Sequence, residues 1–175
     1  MRARRRRLLA AAVAVAVLAG CGGEPEVDLD LPARAEGQQV ADLAGILEGS
    51  DIADRLEQLR AEGLDVVAVT YETEQASCGE AYRAGSEVVR AWDADIAVVA
   101  VARPGDFTST ETASRERCLG VQPASEGVLS GDVREEIAEG LVPPLAADND
   151  WVGAFRVAVD RIAEAATPAP EATGS

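Results

Sequence analysis

Two predominantly apolar runs most restrict the fold of this chain. Residues 64–71 read LDVVAVTY, and Ile96–Ala102 reads IAVVAVA. Runs of this length rich in β-branched residues are typical of strands buried on both faces. Between them, Ser77-Cys78-Gly79-Glu80 has the spacing of a capping box and predicts a helix that runs to about Trp92. The alternation predicts an α/β domain with a central, mostly buried sheet of about four strands and helices on both faces.

The flanking segments extend this pattern. Residues 51–62 predict a helix that stops at a glycine, and residues 117–122 predict a further, weaker strand. A helix over 133–141 is expected to end by Pro143-Pro144, since proline lacks the amide hydrogen that a helix interior needs. Asp150 is predicted to cap a last helix with one apolar face.

The amino terminus predicts export and lipidation. Five arginines precede the apolar residues 8–18, which are too few to span a bilayer but have the length of a signal-peptide core. The tetrad Leu18-Ala19-Gly20-Cys21 that follows resembles the lipobox of bacterial lipoproteins. The resemblance implies a signal peptide over 1–20, cleavage before Cys21, and acyl chains on Cys21. The alternative is a plain secretory peptide that leaves an unanchored protein.

These features divide the chain into four parts. After the signal peptide, residues 21–39 are rich in Gly, Pro and acids and predict a flexible acidic tether. Residues 40–166 hold the α/β domain, and residues 167–175 predict a disordered tail. The predicted location is the extracytoplasmic face of the cell membrane, with the lipid bilayer as a partner through acylated Cys21.

Charge and composition exclude several functions. The chain has 16 Lys+Arg, 31 acidic residues and no His. Loss of the five signal arginines leaves 11 basic residues, a formal charge near −20. Such a surface repels nucleic acid and favours cations or a basic protein partner. The lack of His removes the commonest general base and zinc ligand.

With Cys21 acylated, two cysteines remain. In an oxidising compartment, Cys78 and Cys118 are predicted to form a disulfide. The alternative is a pair of buried thiols. A redox-active pair is disfavoured because neither cysteine lies in a C-x-x-C motif.

The order of short motifs along the domain resembles the TPM domain family, which includes thylakoid-lumen acid-phosphatase-like and bacterial exported proteins. The first motif is an opening Val-Ala-Asp-Leu-Ala-Gly-Ile-Leu at 40–47, and the last is a closing Asn-Asp-Trp-Val-Gly-Ala-Phe at 149–155. Between them come two core strands at 66–70 and 96–102, with Trp92 before the second, then a helix entry at 128–132 and a proline break at 141–145. The match departs from the family at Asp93-Ala94-Asp95, where Asp-Asn-Gly is frequent. It departs again at the Gly-x-Gly that follows the family's third strand, which is reduced here to Gly120, with Gly127 further on.

The resemblance implies an α/β sandwich and three activities: weak acid phosphatase action, divalent-cation binding, and assistance to membrane protein complexes. We expect a non-enzymatic auxiliary or binding module that faces the cell envelope, with a membrane protein or a basic protein as its partner. The alternative is a weak metal-dependent acid phosphatase. Asp93-Ala94-Asp95-Ile96 matches the Asp-x-Asp-x-Thr/Val pattern of some phosphatases in sequence. That motif needs its first Asp at the carboxyl end of a strand, whereas these two Asp residues precede a predicted strand, so the sequence does not predict a phosphatase site here.

Loop residues supply the candidate sites. Asp42, Asp93 and Asp95 are candidate oxygen ligands for Ca²⁺, which needs six to eight such oxygens. The alternative role for each is a solvated loop carboxylate or a helix cap. The Thr- and Ser-rich loop over 107–114 is a candidate surface for partner contact, since loops on rigid scaffolds often carry function.

Overall fold

A four-stranded mixed sheet forms the centre of the domain, in a computed structural model that describes residues 27, 29–110 and 116–166. The strands lie side by side in chain order: β1 (Val40–Asp42), β2 (Val66–Glu72), β3 (Ile96–Ala102) and β4 (Arg117–Pro123). The first three are parallel, and β4 runs antiparallel to β3. The predicted α/β class and strand number are confirmed.

Helices follow or connect these strands. They are α1 (Ile52–Ala61), α2 (Cys78–Trp92), α3 (Gly131–Glu135), α4 (Val142–Ala147) and α5 (Trp151–Ala165), with a π-helical segment, Glu136–Leu141, between α3 and α4. The predicted caps are confirmed: Ser77 accepts the N–H of Glu80, and Asp150 accepts the N–H of Gly153.

Alternate residues of the strands enter two separate cores. In β3, Ile96 and Val98 pack with residues of α1 and α5, whereas Ala97 and Val99 pack with residues of α2. We call the side covered by α2 the α2 face and the opposite side the α5 face. The predicted sandwich therefore exists, with each face of the sheet fully covered at β3, where every residue is buried.

The two helical crossovers have opposite hands. The path β1–β2–β3 advances in one direction across the sheet, but α1 packs on the α5 face and α2 packs on the α2 face. Two successive crossovers that advance the same way over opposite faces cannot both be right-handed. One of them is therefore left-handed, which is rare among parallel strand connections.

The helical segment expected to end by Pro143-Pro144 does end at Leu141, but a further helix begins directly after it. The chain remains helical from Gly131 to Ala147 because the π-helical segment changes the hydrogen-bonding pattern, and a new helix starts at Val142. Both prolines then lie in the first turn of α4, where a missing amide hydrogen removes no helical hydrogen bond.

The predicted disulfide is confirmed. Cys78, the first residue of α2, is bonded to Cys118 in β4, 40 residues further along the chain. The bond fastens the edge strand β4 to the start of the helix that packs across it.

The part of the chain that packs against the domain begins before Val40. Residues 29–39, assigned to the tether from their composition, lie against the domain: Gln39 is buried, and Arg34 is hydrogen bonded to Asp65 and Trp92. The signal peptide, Cys21 and the tail over 167–175 lie outside the described residues. In the part of the chain that the structure describes, no helix has the length and apolar character needed to cross a bilayer.

Candidate functional site

The carboxyl ends of β1 and β2 lie side by side in a parallel pair. The loop after β1 leads to α1 on the α5 face, whereas the loop after β2 leads to α2 on the other face. In open α/β sheets, ligands bind where successive connections diverge in this way. The residues at this point are Asp42, the loop over 43–50 and Thr70, which we call the β1 corner.

Asp42 organises the β1 corner through three hydrogen bonds. Its Oδ1 accepts the N–H of Ile46 at 3.0 Å and the hydroxyl of Thr70 at 2.5 Å, and its Oδ2 accepts the N–H of Leu47 at 2.9 Å. Thr70 is fully buried and also accepts the N–H of Ala44 at 3.2 Å. The carboxylate therefore fixes the loop that leaves β1, much as a capping side chain fixes the start of a helix.

A cleft of about 530 Å³ opens beside Asp42. Its polar side chains are two carboxylates, Asp42 and Glu48, and the hydroxyl of Ser50; the lining contains no arginine. The other lining residues are Val40, Gly45, Leu47, Gly49, Ile52 and Ala53. Leu43, next to Asp42 in the chain, is a large apolar side chain left 51% exposed. The corner thus combines negative charge with an exposed apolar side chain.

The structure does not bring the three predicted metal ligands together. Asp42 lies level with Thr70 and Ala100, whereas Asp95 precedes Ile96, the first residue of β3. Asp95 and Ala100 are five residues apart, and a strand rises about 3.3 Å per residue, so Asp42 and Asp95 lie about 16 Å apart along the strand direction. Among residues 27, 29–110 and 116–166, no three His, Cys, Asp or Glu side chains form a group that could hold a metal ion.

Asp93 and Asp95 have structural roles at the amino edge of the sheet. Asp93 ends α2 in the left-handed conformation, with φ of 51°, which Asp tolerates better than most side chains. Asp95 Oδ2 accepts the N–H of Asp65 at 2.9 Å and so joins the starts of β2 and β3. The predicted Ca²⁺ set of Asp42, Asp93 and Asp95 therefore does not fit a single ion.

The described part of the loop over 107–114 begins with a buried aromatic residue, whereas Thr108 and Thr110 are exposed. Phe107 is only 2% exposed, and its ring meets that of Trp151 edge-on with centroids 4.9 Å apart. The indole N–H of Trp151 donates to the carbonyl of Phe107 at 2.9 Å. The assignment of Phe107 to a contact surface is therefore wrong, and residues 111–115 lie outside the described residues.

Sequence reasoning missed a polar cluster around Arg117. Its guanidinium lies 5.4 Å from the ring centre of Trp151 and donates to the carbonyls of Ala146 and Asp106 and to the side chain of Asn149. A groove of about 340 Å³ lies beside this cluster and the disulfide. The signal in the sequence is Arg117 itself, because an arginine at the start of a mostly buried strand needs hydrogen-bond acceptors nearby. The cluster joins β4 to the turn between α4 and α5.

Comparisons with known proteins add no family assignment. Neither the models of known protein families nor the curated proteins give a match to this sequence. The resemblance to the TPM domain family stays a prediction.

Proposed function

We propose that this chain is a cell-envelope lipoprotein whose α/β domain binds a basic protein partner at the β1 corner. The single observation that carries the binding role is the cleft beside Asp42, which is lined by β1, the loop after it and the start of α1. Membership of the TPM domain family and attachment through acylated Cys21 are parts of the same proposal.

The disulfide supports a location outside the cytoplasm. Disulfides persist in secreted and periplasmic proteins, whereas cytosolic thiols are kept reduced. Cys78 and Cys118 are bonded to each other, so the two cysteines of the domain are both consumed. Cys21 then remains for lipidation, in agreement with the Leu18-Ala19-Gly20-Cys21 motif.

The chemistry of the β1 corner supports a basic protein over a small solute. Asp42 and Glu48 supply negative charge to the cleft, and the excess of acids in the whole chain extends that field. Leu43, 51% exposed beside Asp42, adds apolar area at the same corner for a partner to cover. Arginine or lysine side chains of a partner would enter the cleft while an apolar residue covers Leu43.

Calcium binding and weak metal-dependent phosphatase action are the competing proposals. Both draw on Asp42, but the separation of Asp42 from Asp95 gives them no support. A calcium titration followed by thermal unfolding tests them directly, since a ligand at 100 times its Kd adds about 2.7 kcal/mol to stability. A shift of that size, removed by Glu48→Gln, would favour the cation over the protein partner.

Lipidation predicts a specific amino-terminal peptide. Cleavage of the mature protein after arginine should release residues 21–34, which end at Arg34. We expect this peptide to carry diacylglycerol and a further acyl chain on Cys21, because two or more chains are needed for stable anchoring. Mass spectrometry of the protein from the membrane fraction checks this. A peptide with a free Cys21 thiol, or a mature chain that begins elsewhere, would contradict the proposal.

Partner binding predicts position-specific crosslinks in the native membrane. A photoreactive amino acid at Leu43 should capture a basic protein, whereas the same group at Glu139, an exposed position on the π-helical segment, should not. The adduct should weaken in high salt and in Glu48→Gln, because screening and charge removal both reduce attraction. Equal adducts at both positions, or none at Leu43, would rule out this surface.

A further inference from the structure

We infer that the α2 face of the domain is the side that lies against the lipid surface. This inference rests on the proposed anchor at Cys21 and adds an orientation to it. Three independent observations support it: the contacts that fix residues 29–39 to the domain, the short stretch of chain left between those residues and Cys21, and the distribution of charge on the helices.

Arg34 clamps the segment before β1 onto the domain. Its guanidinium makes two hydrogen bonds to the carboxylate of Asp65, at 2.7 and 2.8 Å, and a third to the carbonyl of Trp92 at 2.8 Å. The Arg34 and Asp65 side chains are only 16% and 21% exposed, and hydrogen bonding to Asp65 raises the pKa of Arg34. A two-bond arginine–carboxylate pair of this kind is among the strong charge-assisted contacts.

Trp92 completes the clamp from the end of α2. Its ring centre lies 5.6 Å from the Arg34 guanidinium carbon, and its indole N–H donates to the carbonyl of Pro32 at 3.0 Å. Upstream, Val27, Leu29 and Leu31 pack against the buried cluster that contains Trp92 and the inner residues of α2. The segment therefore reaches the domain on the α2 face.

The chain between this segment and the anchor is short. Five residues lie between Cys21 and Val27, so the six Cα-to-Cα steps span at most about 22 Å when the chain is fully extended. A domain of this size has a radius of gyration of about 14 Å, which corresponds to a diameter of roughly 37 Å. The reach is smaller than the domain, so the side that carries Val27 stays near the lipid headgroups.

Charge favours the same orientation. On the α2 face, the α2 helix carries two Glu and two Arg, and residues 29–39 add Asp30, Glu36 and Arg34, which gives a net charge of −1. The helices and the π-helical segment of the α5 face together carry eight acidic residues and five Arg. Because like charges repel, the less acidic α2 face meets a surface of anionic headgroups at the lower electrostatic cost.

The two tryptophans of the chain report this orientation. Trp92 lies in the α2-face core and Trp151 in the α5-face core. The acylated protein would be placed in phosphatidylcholine vesicles that contain a dansyl-labelled lipid headgroup. In Trp151→Phe, which keeps only Trp92, we expect roughly twofold or more energy transfer relative to Trp92→Phe, because facing layers of a sandwich are about 10 Å apart.

A clamp variant tests the cause of the orientation. Arg34→Gln in the Trp151→Phe protein should lower transfer from Trp92. Arg55→Gln, which breaks an ion pair between α1 and Asp160 of α5 instead, should leave transfer unchanged. Equal transfer from both tryptophans, or stronger transfer from Trp151, would overturn the inference. If Trp92→Phe does not fold, the inference is tested by the Trp151→Phe protein alone. In that protein, energy transfer from Trp92 to the dansyl-labelled lipid must fall when Arg34→Gln is added.

The orientation and the anchor can fail separately. A chain that begins at residue 21 can be coupled through its Cys21 thiol to a maleimide-bearing lipid, which fixes the anchor chemically. Stronger transfer from Trp92 than from Trp151 in that sample would support the orientation. If protein isolated from cells carried no lipid on Cys21, the natural anchor would be refuted while the orientation stood. Acylated protein without Trp92-dominated transfer would refute the orientation alone.

Discussion

Replacing both Cys78 and Cys118 with alanine is expected to lower the free energy of unfolding by roughly 4 kcal/mol. The bond closes a loop across 40 residues of sequence, and removal of the bond frees the unfolded chain to explore many more conformations. For a domain of this size the loss corresponds to a melting temperature lower by roughly 15 °C. The effect should be large because the bond joins the edge strand β4 to α2, two elements that lie far apart in sequence.

Urea unfolding of oxidised, reduced and substituted protein checks this expectation. The reduced wild type should match the double-alanine variant, and reductant should have no effect on that variant. A difference under about 1 kcal/mol between the oxidised wild type and the variant would mean that the bond does not constrain the unfolded chain as the loop-closure argument requires.

The elements predicted best are those whose signal is local. The run Ile96–Ala102 is buried at every position, so a continuous apolar stretch was sufficient to identify β3. The caps at Ser77 and Asp150 each depend on a hydrogen bond to an amide three residues later, which lies within the same short motif. In each case the residues that specify the element are the residues that form it.

The features that sequence reasoning missed depend on distant partners or on geometry. Strand β1 has three residues, too few for a periodic signal, and exists because Val40 and its neighbours pair with β2. The π-helical segment before Val142 has no residue pattern that separates it from an ordinary helix. The hand of each crossover depends on which face each helix covers, and amphipathic α1 and α2 can bury an apolar stripe on either side.

The site shows the same division. Asp42 was identified from its motif, but its partner Thr70 lies 28 residues away and within a buried strand. Arg34 was assigned to a tether because the composition around it is polar, although Asp65, 31 residues further on, holds it against the domain. A carboxylate or guanidinium in a polar stretch carries no local sign of the partner that the fold supplies.

Asp42→Ala is expected to lower the free energy of unfolding by about 3 kcal/mol, since hydrogen bonds to charged groups contribute roughly 1.5–3 kcal/mol and unpaired buried partners add a penalty. The substitution leaves the amides of Ile46 and Leu47 and the buried hydroxyl of Thr70 without their acceptor. Asp42→Asn should lower the free energy of unfolding by less than Asp42→Ala. The remaining side-chain oxygen of Asn can still accept the hydroxyl of Thr70, although its NH₂ group would face a backbone N–H that needs an acceptor. Glu48→Gln is the matched control in the same cleft and should change stability by less than about 0.5 kcal/mol, as exposed substitutions usually do.

Chemical denaturation in EDTA and in millimolar calcium separates the two roles open to Asp42. If the carboxylate fixes the loop over 43–50, the loss in Asp42→Ala is the same in both buffers, because its partners are protein N–H and O–H groups. If the carboxylate binds a cation, the wild type gains stability in calcium and the variant does not. An Asp42→Ala protein as stable as the wild type in EDTA would contradict the structural role, and a loss confined to calcium would restore the metal site that the positions of Asp93 and Asp95 do not support.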